Sequence, residues 1–125
     1  MTQQEYISRW HKLFVDNVRA TLGYIEGKMV SSTLSDECKD KLTAAKLFLQ
    51  GQDILDVERE LSLGIVTDAT LDKTETIYVK IAEFFIDENI HDDATRVIMK
   101  DFVKQYEHYQ REITHLQLDC LKTSV

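Results

Sequence analysis

Ile77-Tyr78-Val79-Lys80-Ile81-Ala82-Glu83-Phe84-Phe85-Ile86 decides the fold: eight of these ten residues are apolar, and β-branched and aromatic types dominate. Propensity alone allows a buried strand. A strand needs a partner for its backbone groups, and the chain contains no second segment to pair with it. The run therefore reads as a helix, and as the most enclosed helix of the protein. Asp72 and Glu75 stand ahead of it at capping-box spacing. Asn89 serves as a left-handed terminator, with Ile90 as the apolar contact that often follows one.

With that run helical, the rest of the chain reads as helices joined by short turns. There is no proline, and Gly23, Gly27, Gly51 and Gly64 are the only glycines. An all-β chain needs turn residues roughly every 8–12 positions. Thr2 and Glu5 form a capping box, and Ile7, His11, Phe14, Val18, Leu22, Ile25 and Met29 then recur at spacings of three and four. This predicts a helix over 3–29, roughly 40 Å long at about 1.5 Å per residue. The Ser/Thr cluster of 30–35 supplies several caps for the next helix, whose stripe is Leu34, Cys38, Leu42, Ala45 and Leu49. Gly51 is expected to end it as a left-handed residue. Ile54, Val57 and Leu61 resume on a rotated phase, so a break or kink falls near Gly51. Gly64 ends that stretch, and residues 65–71 read as the one true loop. Asp92 or Asp93 caps the last helix, where Ala94, Ile98, Phe102, Tyr109, Ile113, Leu116 and Cys120 form the stripe and Met99, Val103, Tyr106 and Leu121 widen it. The expected fold is all-α: one domain over 1–125, an antiparallel up-down four-helix bundle with the second helix kinked or broken near Gly51, hence four to five helices.

Composition narrows the function classes. The 125 residues carry 15 Lys and Arg against 22 Asp and Glu, a formal net charge of −7. Neither a phosphate-tracking nucleic-acid binder nor a polybasic membrane anchor fits that balance. No apolar window is long enough to span a bilayer, and the N-terminus lacks the basic and apolar regions of a signal peptide. A cytoplasmic location is expected. Cys38 and Cys120 lie far apart without a CxxC or Cys/His spacing, which predicts two reduced cysteines at core positions and neither a zinc site nor a redox pair.

Chemistry-bearing motifs are few. Glu112-x-x-His115, with His108 one turn earlier, has the i, i+3 spacing that carboxylate-bridged di-metal bundles use, and Glu88-x-x-His91 repeats it. Glu88 and His91, however, straddle a predicted turn. His108, Glu112, His115 and Asp119 sit about 60 to 120 degrees off the apolar stripe, counting about 100 degrees per residue. They read as a solvated flank and as weak metal candidates, so no cofactor is predicted. His11 lies within the first apolar stripe and is expected to be buried and hydrogen-bonded to a neighbouring helix. Gly23-x-x-x-Gly27 falls opposite that stripe. No P-loop, GxGxxG, nucleophile elbow or HExxH occurs.

The acidity is densest at 87–93, where Asp87, Glu88, Asp92 and Asp93 stand without a Lys or Arg among them. Asp87 and Glu88 oppose the dipole at the end of their helix, which a basic partner surface, a bound cation or nearby Lys and Arg from another helix would relieve. Helix 1 carries more aromatics than one packing seam requires, Tyr6 and Trp10 among them, and Ile65 and Val66 are apolar residues in a loop. Those eight residues are the expected partner-binding set. The reading is a small acidic bundle without catalysis that binds and masks or regulates another protein through a basic surface of that partner, as an inhibitor, an immunity factor or antitoxin, or a chaperone. The alternatives are a homo-oligomeric structural or assembly component, with a homodimer as the simplest form, and a carboxylate/histidine metal-binding bundle.

Overall fold

Thr2 Oγ1 accepts the Glu5 N–H at 3.1 Å, and this cap opens α1 (Gln3–Met29), over the span expected. The computed structural model describes residues 2–31, 33–85 and 93–123. Four further helices follow: α2 (Asp36–Leu49), α3 (Gln52–Ser62), α4 (Asp68–Phe85) and α5 (Asp93–Thr123). Ser35 caps α2 by accepting the Cys38 N–H at 3.2 Å. The architecture is the all-α four-helix bundle, with α2 and α3 together forming its broken second member. Among the described residues there is no strand, and no helix is long and apolar enough to cross a membrane.

The break at Gly51 has a different cause from the one expected. Gly51 is extended, with φ −84° and ψ −179°, and is the N-cap of α3; Gln50 closes α2. Space rather than handedness favours glycine here. A Cβ would stand 3.2 Å from the Phe48 carbonyl oxygen and 3.4 Å from that of Leu47. The left-handed glycine is Gly64, at φ 72°. Around it Ile65 N–H reaches the Glu60 carbonyl at 3.0 Å and Gly64 N–H reaches that of Leu61 at 3.2 Å, which is the paired bonding of a Schellman motif.

Helix α4 starts four residues ahead of the Asp72 cap. The reason is a reciprocal pair: Thr67 N–H donates to Thr70 Oγ1 at 3.2 Å while Thr70 N–H donates to Thr67 Oγ1 at 3.4 Å. Hydroxyl and hydroxyl do here what hydroxyl and carboxylate do in a capping box. The loop of 65–71 shortens to 64–67. Residues 77–85 are helical, as the sequence predicts. Ile77 is buried, whereas Val79 is 51% exposed and Lys80 and Glu83 face solvent. The expected terminator Asn89, its contact Ile90 and the cap Asp92 lie outside the described residues.

Residue pairs fix the directions of two seams. Trp10 meets Tyr109 and Tyr24 meets Asp101, so α1 and α5 run antiparallel. Glu60 meets Lys73 and Asp53 meets Lys80, so α3 and α4 do likewise. Helix α5 packs most extensively on α1 and also lies along α4; α2 and α3 fill the opposite corner, touching α1 and α4. Phe14, Ile25, Leu42, Val57, Leu61 and Ile98 form the closed centre. Truncating one such leucine or isoleucine to alanine costs about 2–5 kcal/mol. Cys38 is buried among them as the small hydrophobe expected, and the side chain of Cys120 lies outside the described residues. Buried hydroxyls are satisfied locally: Thr21 donates to the Asn17 carbonyl at 2.8 Å and Thr74 to that of Thr70 at 2.9 Å.

Candidate functional site

The rotated phase of α3 produces the most distinctive surface of the molecule. Because Ile54, Val57 and Leu61 point inward, the outer side of α3 at about 100° per residue is Leu55, Arg59, Ser62 and the capping residue Leu63. Leu55 is 53% exposed and Leu63 63%. The Schellman turn then places Ile65 outward at 57% exposure, while Val66 folds back to pack on the core. Three large aliphatic side chains thus stand in solvent on one helix and the turn that ends it. Single exposed apolar residues are ordinary, but a run of them on one edge is a feature of contact surfaces.

Carboxylates flank this row. Asp53 and Glu60 line the side facing α4, and Glu58 lies on the other flank. Helix α3 carries four carboxylates against the single cation Arg59, and α4 carries four against Lys73 and Lys80. Lys73 Nζ donates to Glu60 Oε1 at 3.2 Å. Lys80 bridges the break, 3.7 Å from Asp53 Oδ2 and 5.4 Å from the centre of the Phe48 ring. Hydrogen bonding by the Thr70 hydroxyl, and then by Lys73, holds the Glu60 carboxyl below its ordinary value of 4.5. Glu60 is therefore anionic throughout the neutral range, and the face remains net negative after its two lysine contacts.

The sequence-predicted residues separate into distinct places. Ile65 is exposed and Val66 half-buried, at the α3–α4 turn. Trp10 is internal: it is buried, its Nε1 donates to Tyr109 OH at 3.1 Å, and Tyr6 packs edge-on against it at 5.8 Å. The aromatic surplus of helix 1 is spent within the α1–α5 seam, which corrects the reading of Trp10 as a surface anchor. The up-down order puts Tyr6, Trp10, Ile65 and Val66 toward one end of the bundle and Asp93 at the other. Asp93 is exposed, with its Oδ1 3.7 Å from Arg96 Nη1. Asp87, Glu88 and Asp92 lie outside the described residues. Leu55 and Leu63 are exposed aliphatic residues outside the set expected from the sequence, although the phase shift after Gly51 already sets them off the buried stripe.

The metal candidates do not converge. His108 and His115 are exposed on α5 and Glu112 is half-buried. Among the described residues no group of three or more His, Cys, Asp or Glu side chains is placed to hold a metal ion. His11 is half-buried, and its Nε2 is sealed from solvent without a hydrogen-bond partner among the described residues, contrary to the bond expected for it. Two grooves lined by described residues are open rather than enclosed. One of about 180 Å³ lies between Phe48, Asp53, Lys73 and Ile77, and one of about 350 Å³ runs along Glu107, Arg111 and His115. Neither has the converging polar groups in an enclosing apolar wall that mark a small-molecule site. No protein-family model matches the chain, and no curated protein and no solved structure matches it either.

Proposed function

We propose that the protein is a non-catalytic interaction module that binds a partner protein with a basic surface, using the outer side of α3 and the turn after it. The observation that carries this reading is the row Leu55, Leu63 and Ile65, exposed together between carboxylates. Aliphatic anchors supply the desolvated centre of a contact, and a charged rim orients the encounter. A cationic segment with an apolar stripe complements both. A masking role as inhibitor, immunity factor or antitoxin, or chaperone, in the cytoplasm, is the functional class that fits such a module. The test is capture from the native host with the wild-type chain and with a Leu55→Asp, Leu63→Asp, Ile65→Asp variant. The expected result is a stoichiometric partner with a basic surface retained by the first and lost by the second. A partner held equally by both, or one that offers α3 no basic surface, overturns the reading.

A further inference from the structure

The acidity of the chain conceals one basic surface. Lys100, Lys104, His108, Arg111 and His115 are all exposed and succeed one another at spacings of four, four, three and four along α5. Counting about 100° per residue, they share an arc of roughly 80°, and at about 1.5 Å per residue the stripe is roughly 22 Å long. Val97 and Leu118, each about half exposed, lie within the same arc at its two ends. Glu107 edges the stripe on one side, and Asp101, Glu112 and Asp119 lie beyond its other edge. Among the described residues no ion pair neutralises Lys100, Lys104 or Arg111.

Taking as its basis the reading of α3 as a docking surface, we infer that the α5 stripe is the seat for the α3 face of a second copy of this chain. The two surfaces match in sign: three cations that make no ion pair among the described residues against a helix where, beyond the Asp53 and Glu60 carboxylates paired with α4, Asp56 and Glu58 outnumber Arg59. They match in pattern too, since each combines charge with exposed aliphatic residues. They also match in extent, because α3 and the turn after it span much of the stripe. Helix α5 and helix α3 occupy opposite corners of the bundle. The contact is therefore head-to-tail, and each copy keeps one free surface of each kind for the next.

Sedimentation velocity on the full chain tests this at micromolar to millimolar concentration, in low salt and in 0.5 M salt, where exposed charges are screened over about 4 Å. The expected result is concentration-dependent association without a fixed end-point, lost in high salt. A Lys100→Glu, Lys104→Glu, Arg111→Glu variant and the α3 triple aspartate variant should each stay monomeric with unchanged melting temperatures, since every altered side chain is exposed. Mixed together, each supplies the surface the other lacks, and they should form a 1:1 dimer and nothing larger. Variants that stay apart on mixing, or a closed dimer that survives both sets of changes, overturn the inference. A monomeric wild type that still captures a basic protein through α3 also overturns it, while the α3 reading stands. If capture is insensitive to the α3 changes as well, both fail. A synthetic glutamate-rich helix that binds the stripe of a monomeric wild type assigns α5 to a different acidic protein and likewise overturns it.

Discussion

The α1–α5 seam and the α3–α4 face are both antiparallel helix contacts, yet the polar links described across them differ in kind. Along α1 and α5, aromatic rings meet in the interior and their polar tips are bonded across the seam. Trp10 Nε1 donates to Tyr109, Tyr24 OH donates to Asp101 Oδ2 at 2.6 Å, and Tyr24 stands edge-on to Phe102 at 5.3 Å. Along α3 and α4 the cross-links are the Lys73–Glu60 and Lys80–Asp53 pairs, on partly exposed side chains. Exposed pairs of that kind are worth about 0–1 kcal/mol. The first contact sets which helices pair and in which register. The second leaves charge and aliphatic surface exposed beside its links. The charges divide accordingly: α1 has three carboxylates against four cations, whereas α3 has four against one.

Truncation exposes this contrast most strongly. Phe14 is almost wholly buried, so Phe14→Ala should lower stability by about 3–5 kcal/mol in urea denaturation. Leu63→Ala, on the exposed face, should stay within about 0.5 kcal/mol. Comparable losses at the two positions would erase the distinction between a structural seam and a contact face.

A smaller effect separates the polar links of the seam. Trp10→Phe and Tyr24→Phe each remove one cross-seam hydrogen bond and should cost about 1 kcal/mol apiece. Tyr24 adds a pH signature. Burial first, and then the hydrogen bond and negative charge of Asp101, push its phenol well above the ordinary value of 10.0. A raised folded value means that the stabilisation is complete below pH 10 and is lost above it, as the unfolded chain ionises first. Wild type should therefore lose stability faster than Tyr24→Phe as the pH climbs past 10, and parallel alkaline denaturation curves would count against the Asp101 link.

The smallest effect belongs to the α3–α4 face. Glu60 is held below 4.5 by Thr70 and Lys73, so its contribution is present above pH 4.5 and fades as the pH falls through its lowered value. The difference in melting temperature between wild type and Glu60→Gln should shrink on acidification, and salt should reduce it at neutral pH. A difference that grew in acid would reverse the assigned sign.

How much was legible in the residues differs between these regions for a physical reason. Helix 1 could be placed to its ends because its signals are local: Thr2 caps a backbone three residues on, and the apolar spacing matches the helical repeat. The Thr67–Thr70 pair is silent in the sequence because two threonines carry no standard cap pattern, although their hydroxyls do the same work. Gly51 does punctuate the helix, but with crowding by the Phe48 and Leu47 carbonyls rather than a left-handed φ, which the residue type alone does not distinguish. Trp10 looks surplus in the sequence because its partner, Tyr109, lies 99 residues away. The α5 stripe was visible only as a flank of weak metal ligands, since the lysines and Arg111 between the histidines gain meaning once all are seen to be exposed together.

The residues by themselves determined that the chain is helical, where most of its helices begin and end, and that the second member of the bundle breaks at Gly51. Those properties arise from hydrogen bonds and spacings within a turn or two of backbone, and each segment carries them wherever it packs. Only the tertiary structure decided which apolar side chains are covered. Trp10 disappears against α5 while Leu55, Leu63 and Ile65 remain in solvent, because burial depends on helices distant in sequence. The same packing turned a chain of net charge −7 into a body with an acidic, aliphatic edge on α3 and a basic stripe on the opposite corner.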